Sequence, residues 1–147
     1  MGELVREVMI DATPETIWPF LTDPEKHIEW EGTEAELDPR PGGIHRVLVA
    51  GQHHALGEYV EVVPMEKVVF TFGWDEPGHP IPAGSTTVEI SLHPEGDKTL
   101  VRLTHRGLPD DDAVKQHTIG WTHYLDRLAV RAPGGDPGPD VMFGEEE

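Results

Sequence analysis

The chain has no cysteine among its 147 residues. Disulfide staples and thiolate zinc sites are therefore excluded, and stability must come from a packed core. Basic charge is scarce as well: 11 Lys and Arg face 28 Asp and Glu, for a formal net charge of -17. So acidic a chain repels phosphate backbones, and no nucleic-acid partner is expected. The acidity itself reads as solvated surface. No apolar run approaches the roughly 20 residues that span a bilayer. Met1 to Arg6 lacks the basic segment and apolar stretch of a secretory signal, so a cytoplasmic protein without membrane insertion is the expectation. Missing too are a phosphate-binding glycine loop, a Gly-x-Ser-x-Gly elbow and any His pair at i, i+4. His53-His54 and the scattered acids have no established ligand spacing, so neither a metal nor another cofactor is expected.

What the chain does have is punctuation, 16 Gly and 14 Pro, between short periodic segments. Leu4, Val8 and Ile10 alternate as a strand over Leu4 to Ile10. Thr13-Pro14-Glu15 then opens a short helix with Ile17, Phe20 and Leu21 on one face, and Asp23-Pro24-Glu25 opens a second turn ending near Trp30. Glu34 to Leu37 is a weak strand. Ile44 to Ala50, Gly57 to Val63, Val68 to Trp74, Thr86 to Leu92 and Leu100 to His105 are stronger ones. Close spacing without intervening helices implies antiparallel neighbours. Asp110 to Asp112 then cap a helix whose Val114, His117, Trp121, Tyr124, Leu125 and Leu128 recur every three or four residues, until Pro133-Gly134-Gly135 stops it. A sheet with one apolar face needs a cover, and only this helix is large enough. The spacing therefore predicts an α+β domain over residues 1–135, followed by a flexible acidic tail from Asp136 to Glu147.

Several segments resemble the bacterial relatives of the heat-shock-protein-90 ATPase activator, in the START-like or SRPBCC superfamily. They are ATPETIW (12–18), DPRPGG (38–43), GEYVEVVP (57–64), VFTFGW (69–74), THRGLP (104–109), HTIGW (117–121) and YLDRL (124–128). The resemblance implies a helix-grip, Bet v 1-like fold. In it a curved antiparallel sheet of about six to seven strands wraps around the long C-terminal helix, with two short helices after the first strand. Members bind hydrophobic small molecules, cyclise polyketides, carry lipids or act as co-chaperones, and fold does not select among these. Eukaryotic activators carry a further N-terminal domain that grips the chaperone, with no counterpart here, so a chaperone partner is not expected.

A pocket between sheet and helix gives the candidate ligand-binding residues. Trp121 and Tyr124 lie on the helix stripe beside Gly120, and Phe72 and Trp74 share a parity that ends before the Pro-rich loop from Glu76 to Ala83. Trp30 is placed at the opposite rim. His105 shares parity with Val101 and Leu103, and His117 lies on the helix stripe, so both are expected inside, as hydrogen-bond donors, acids or bases. Glu58 shares parity with Val60 and Val62 and would enter the pocket with them. A bulge near Gly57 would reverse this and bring Tyr59 inside. The expected partner is a hydrophobic small molecule, with a homodimer left open. A cyclase- or hydrolase-like reaction through His105, His117 or Glu58 is one alternative, and a protein-interaction role is another.

Overall fold

The computed structural model describes residues 2–49 and 51–140. In chain order the elements are β1 (Gly2–Ile10), α1 (Pro14–Thr22), α2 (Pro24–His27), β2 (Glu34–Leu37), β3 (Ile44–Val49), β4 (His53–Val63), β5 (Lys67–Phe72), β6 (Thr86–Glu95), β7 (Lys98–Leu108) and α3 (Asp111–Arg131). The seven strands form one antiparallel sheet in the order β1-β7-β6-β5-β4-β3-β2. α1 and α2 carry the chain from one edge of the sheet to the other, so the curved sheet grips α3 as the helix-grip reading expected.

Alternation puts the core on the concave face. Val88, Ile90 and Leu92 of β6 and Val101, Leu103 and His105 of β7 are all buried there. α3 offers Ala113, Trp121, Tyr124, Leu125 and Leu128 in return. Asp110 starts that helix by accepting the Ala113 N–H at 2.8 Å, a cap of the kind that typically contributes about 1 kcal/mol.

The reading of β4 changes in two ways. β4 begins at His53 rather than Gly57, because the polar pair His53 and His54, which looks like turn material, pairs with Val49 and Leu48. The parity of β4 also switches within the strand. Tyr59 faces Phe70 and Glu61 faces Val69, which leaves Val60 as the extra residue of a bulge. Ala55 and Tyr59 therefore point into the core, while Val60 is 53% exposed. Glu58 is exposed on the outer face. The expectation that Glu58 enters the pocket is corrected, and Tyr59 takes the inward place.

Beyond α3, residues Asp136–Asp140 run back along the helix. Arg127 donates to the carbonyls of Pro137 and Gly138 at 3.4 and 2.9 Å. Asp140 accepts from the Tyr124 hydroxyl at 2.6 Å and hydrogen-bonds His123 at 2.8 Å. The rest of the acidic tail, 141–147, lies outside the described residues. Hydrogen bonds to charged groups contribute about 1.5 to 3 kcal/mol each, offset by the entropy of ordering the segment. Truncation after Gly135 is therefore expected to lower the melting temperature by about 3 to 6 °C, at about 2 to 4 °C per kcal/mol. Asp140→Ala should reproduce most of that loss. Calorimetry showing no change for either variant would mean the contacts contribute nothing net.

Candidate functional site

A cavity of about 390 Å³ opens between the N-terminal half of α3, the end of β5 and the Pro-rich loop that follows it. Its apolar wall is Val49, Phe72, Trp74, Ile81 and Trp121, and its polar groups include Glu31, Gln116, His117 and Tyr124. His53 and Glu76, which hydrogen-bond to each other, are among its lining residues with His79.

Local backbone geometry holds Trp74 at this wall. Its N–H donates to Ile81 O at 2.8 Å, tying the Pro-rich loop to the strand end. A Cβ on the preceding Gly73 would lie 1.7 Å from Pro82 O, so only glycine permits so close a crossing. The Trp74 indole N–H then donates to His117 Nε2 at 3.2 Å, while His117 Nδ1 donates to Ala113 O at 2.9 Å. One ring nitrogen accepts and the other donates, which is the neutral tautomer. Burial lowers the His117 pKa, opposed by that backbone bond and aided by nearby His79.

His105 repeats the arrangement one layer deeper. Trp121 Nε1–H donates to His105 Nδ1 at 3.1 Å. Thr86 gives its hydroxyl proton to Phe72 O at 2.7 Å, so His105 Nε2–H must donate to Thr86 Oγ1 at 2.8 Å. Burial pushes the His105 pKa down to about 3, and the neighbouring His117 adds to the effect. Protonating Nδ1 would also set an N–H against the Trp121 N–H.

A second nest of polar and aromatic groups lies under α1 and α2. His45 stacks on Phe70 with centroids 3.8 Å apart and meets the edge of Tyr59 at 5.3 Å. Burial first, and the charge of His27 second, bring the His45 pKa down to about 3. Tyr59 is raised by burial, then by Asp38. His27 Nδ1 donates to Phe20 O at 3.1 Å, and its Nε2 lies 2.8 Å from Glu31 Oε1. Because a carbonyl can only accept, Nδ1 must carry a hydrogen, and one further proton is held between Nε2 and Oε1. Glu31 is 6% exposed and reaches the cavity wall from this nest.

Of the eight residues expected at the site, Phe72, Trp74, His117, Trp121 and Tyr124 line the cavity. His105 stands behind Phe72 and Trp121 rather than at the wall, with ring centroids 4.9 and 6.3 Å away. Trp30 is fully buried instead of at a rim, because its indole N–H turns inward to Phe20 O at 2.8 Å. Glu58 is on the outer face. Sequence reasoning did not reach Glu31, His27 or His45. The i, i+4 spacing of His27 and Glu31 was the available signal for the first two. For His45 it was parity with Val47 and Val49, the same argument that placed His105 inside. Among the described residues, no group of three or more His, Asp or Glu is arranged to hold a metal ion. No helix among them is long and apolar enough to cross a membrane.

No curated protein matches the chain. Among solved structures, it is similar to an AHSA1-like protein from Rhizobium etli, at 45% identity over 99% of this chain and 91% of that one, with a TM-score of 0.76. CalU16 from Micromonospora echinospora matches at 26% identity over 99% of this chain and 73% of the other, with a TM-score of 0.78. An Aha1 dimer from Colwellia psychrerythraea matches at 20% identity over 92% and 98%, also with a TM-score of 0.78, and at that identity shows the fold alone. The family model described as activator of Hsp90 ATPase homolog 1-like protein matches residues 11–132. With most of its length inside that match and with the seven-stranded helix-grip architecture, the chain belongs to the activator of Hsp90 ATPase homolog 1-like family, within the SRPBCC, Bet v 1-like fold.

Proposed function

We propose that the protein binds a hydrophobic or amphipathic small molecule in the cavity between the sheet and α3. The observation that carries this reading is the open space at Gly120. A Cβ built there meets no atom within 4 Å, although the residue lies mid-helix on the side facing the sheet. A glycine inside a helix costs about 1 kcal/mol relative to alanine, and here no tight packing offsets that cost. Empty volume does lie beneath it, bounded by two indoles, and about 390 Å³ is within the usual range for small-ligand sites.

The catalytic alternative draws less support. His105 and His117 have both ring nitrogens engaged in internal hydrogen bonds, and Glu58 is exposed on the far side of the sheet. None of the three is placed as a free acid or base at the cavity.

Native mass spectrometry of protein purified from its own host tests the binding reading. A retained mass of a few hundred daltons, displaced by an apolar fluorescent dye that binds at one equivalent, is expected. Absence of both the retained mass and dye binding would count against a ligand cavity and favour a role for the outer surface.

A further inference from the structure

The cavity wall has a charge asymmetry that its apolar character hides. Glu31, Glu76, Asp110 and Asp112 all line it, whereas no Lys or Arg among the described residues does. Burial first, and the hydrogen bond to Asp140 second, raise the Tyr124 pKa, and Arg127 is near enough to oppose that shift. Its donors, however, go to the carbonyls of Trp30, Pro137 and Gly138. A helix N-terminus would ordinarily attract an anion. At α3 that end is closed by Asp110, whose carboxylate takes the Ala113 N–H, and Asp112 stands in its first turn.

Glu31 turns this surplus into a directed group. It is more than nine-tenths buried, and His27 fixes its Oε1. Its Oε2 makes no hydrogen bond among the described residues, yet no fully enclosed side-chain oxygen is left without a partner. Oε2 therefore keeps an open face, and Glu31 is among the residues that line the cavity. A buried carboxylate oxygen with an unused acceptor position favours a ligand group that brings a donor, and most of all one that brings positive charge.

Resting on the binding reading above, we propose that the cavity selects a protonated amine on an apolar or aromatic body. The ammonium sits at Glu31 Oε2, and the body lies against Phe72, Trp74 and Trp121. Indole faces suit such a ligand, since they attract a cation passing over them. An acid of the same shape would bring its carboxylate towards Asp110 and Asp112, with no Lys or Arg among the described residues at the wall to offset the repulsion.

Three probes of matched shape separate charge from size: 2-(1-naphthyl)ethylamine, 2-(1-naphthyl)ethanol and 1-naphthylacetic acid. Each is titrated calorimetrically into the full chain at pH 7.5 and low salt. The amine should bind at least tenfold tighter than the acid, with the alcohol between them, and the preference should shrink as salt is raised. Glu31→Gln should weaken the amine about tenfold and leave the alcohol within twofold. Equal binding of amine and acid would overturn the charge selection while leaving a ligand cavity in place, and an amine preference that survives Glu31→Gln would overturn the placing of the ammonium at Glu31. Binding of none of the three would overturn both. The amine-to-acid comparison uses the unaltered chain, so the proposal is tested even if Glu31→Gln does not fold.

Discussion

Lowering the pH from 7.5 to 5.0 should destabilise the domain by about 4 kcal/mol, through two histidines that the fold keeps neutral. His45 and His105 have folded pKa values of about 3 against an ordinary 6.5. Above pH 6.5 both are neutral whether the chain is folded or unfolded, and they contribute no pH dependence. Below it the unfolded chain takes up two protons that the folded chain refuses, so stability is lost progressively between about pH 6.5 and pH 3. One pH unit is about 1.4 kcal/mol per group, which gives about 2 kcal/mol each at pH 5. His117, lowered in the same direction, adds to the loss. Against a typical domain stability of about 5 to 15 kcal/mol, the melting temperature should fall by roughly 10 °C. The net charge of -17 acts oppositely, since acidification relieves self-repulsion. A variant comparison therefore decides the matter. His45→Leu should show about half the wild-type drop between pH 7.5 and 5.0, whatever its stability at either pH. If the two proteins lose equal stability over that range, His45 is not one of the groups responsible.

Gly120→Leu should separate binding from stability. The new side chain enters empty space rather than a packed contact, so overpacking strain is not expected. Replacing a mid-helix glycine removes a penalty of roughly 1 kcal/mol. The melting temperature should hold or rise by a few degrees, while binding of an apolar dye weakens by tenfold or more because the added side chain occupies the cavity. Leu92→Ala is the counterpart. Leu92 is buried in β6 and does not line the cavity, so its truncation should cost about 2 to 5 kcal/mol and leave dye binding largely intact. If Gly120→Leu binds dye as the wild type does, the dye site is elsewhere.

The fold was legible because its signals are local and repeated. Alternation at Val88, Ile90 and Leu92, the spacing from His117 to Leu128, and the Asp110 cap each follow from the period of one element. Inward placement was legible where a side chain's parity stayed constant along its strand, as for Phe72 at the cavity wall and His105 behind it. It failed at Glu58 because one extra residue, Val60, shifts the parity of β4, and a bulge is a property of the pairing between strands rather than of either sequence. Glu31 escaped for a related reason. It follows α2 in a turn with no period, and only the folded chain brings it against α3 and the end of β3.

The pairing of β1 with β7 sets the order in which this protein can be made. β1 spans Gly2–Ile10, but its hydrogen-bonding partner is Lys98–Leu108. At about 5 to 20 residues per second, β1 leaves the ribosome roughly 5 to 20 s before the strand that will hold it. During that interval Leu4 and Ile10, both buried at the end, have neither β7 nor α3 to cover them. A sheet whose first and seventh strands are neighbours cannot close until β7 has been made, so folding of the domain is expected to be late and cooperative rather than sequential. The newly made β1 should be the strand of this sheet most exposed to chaperones and to misassembly.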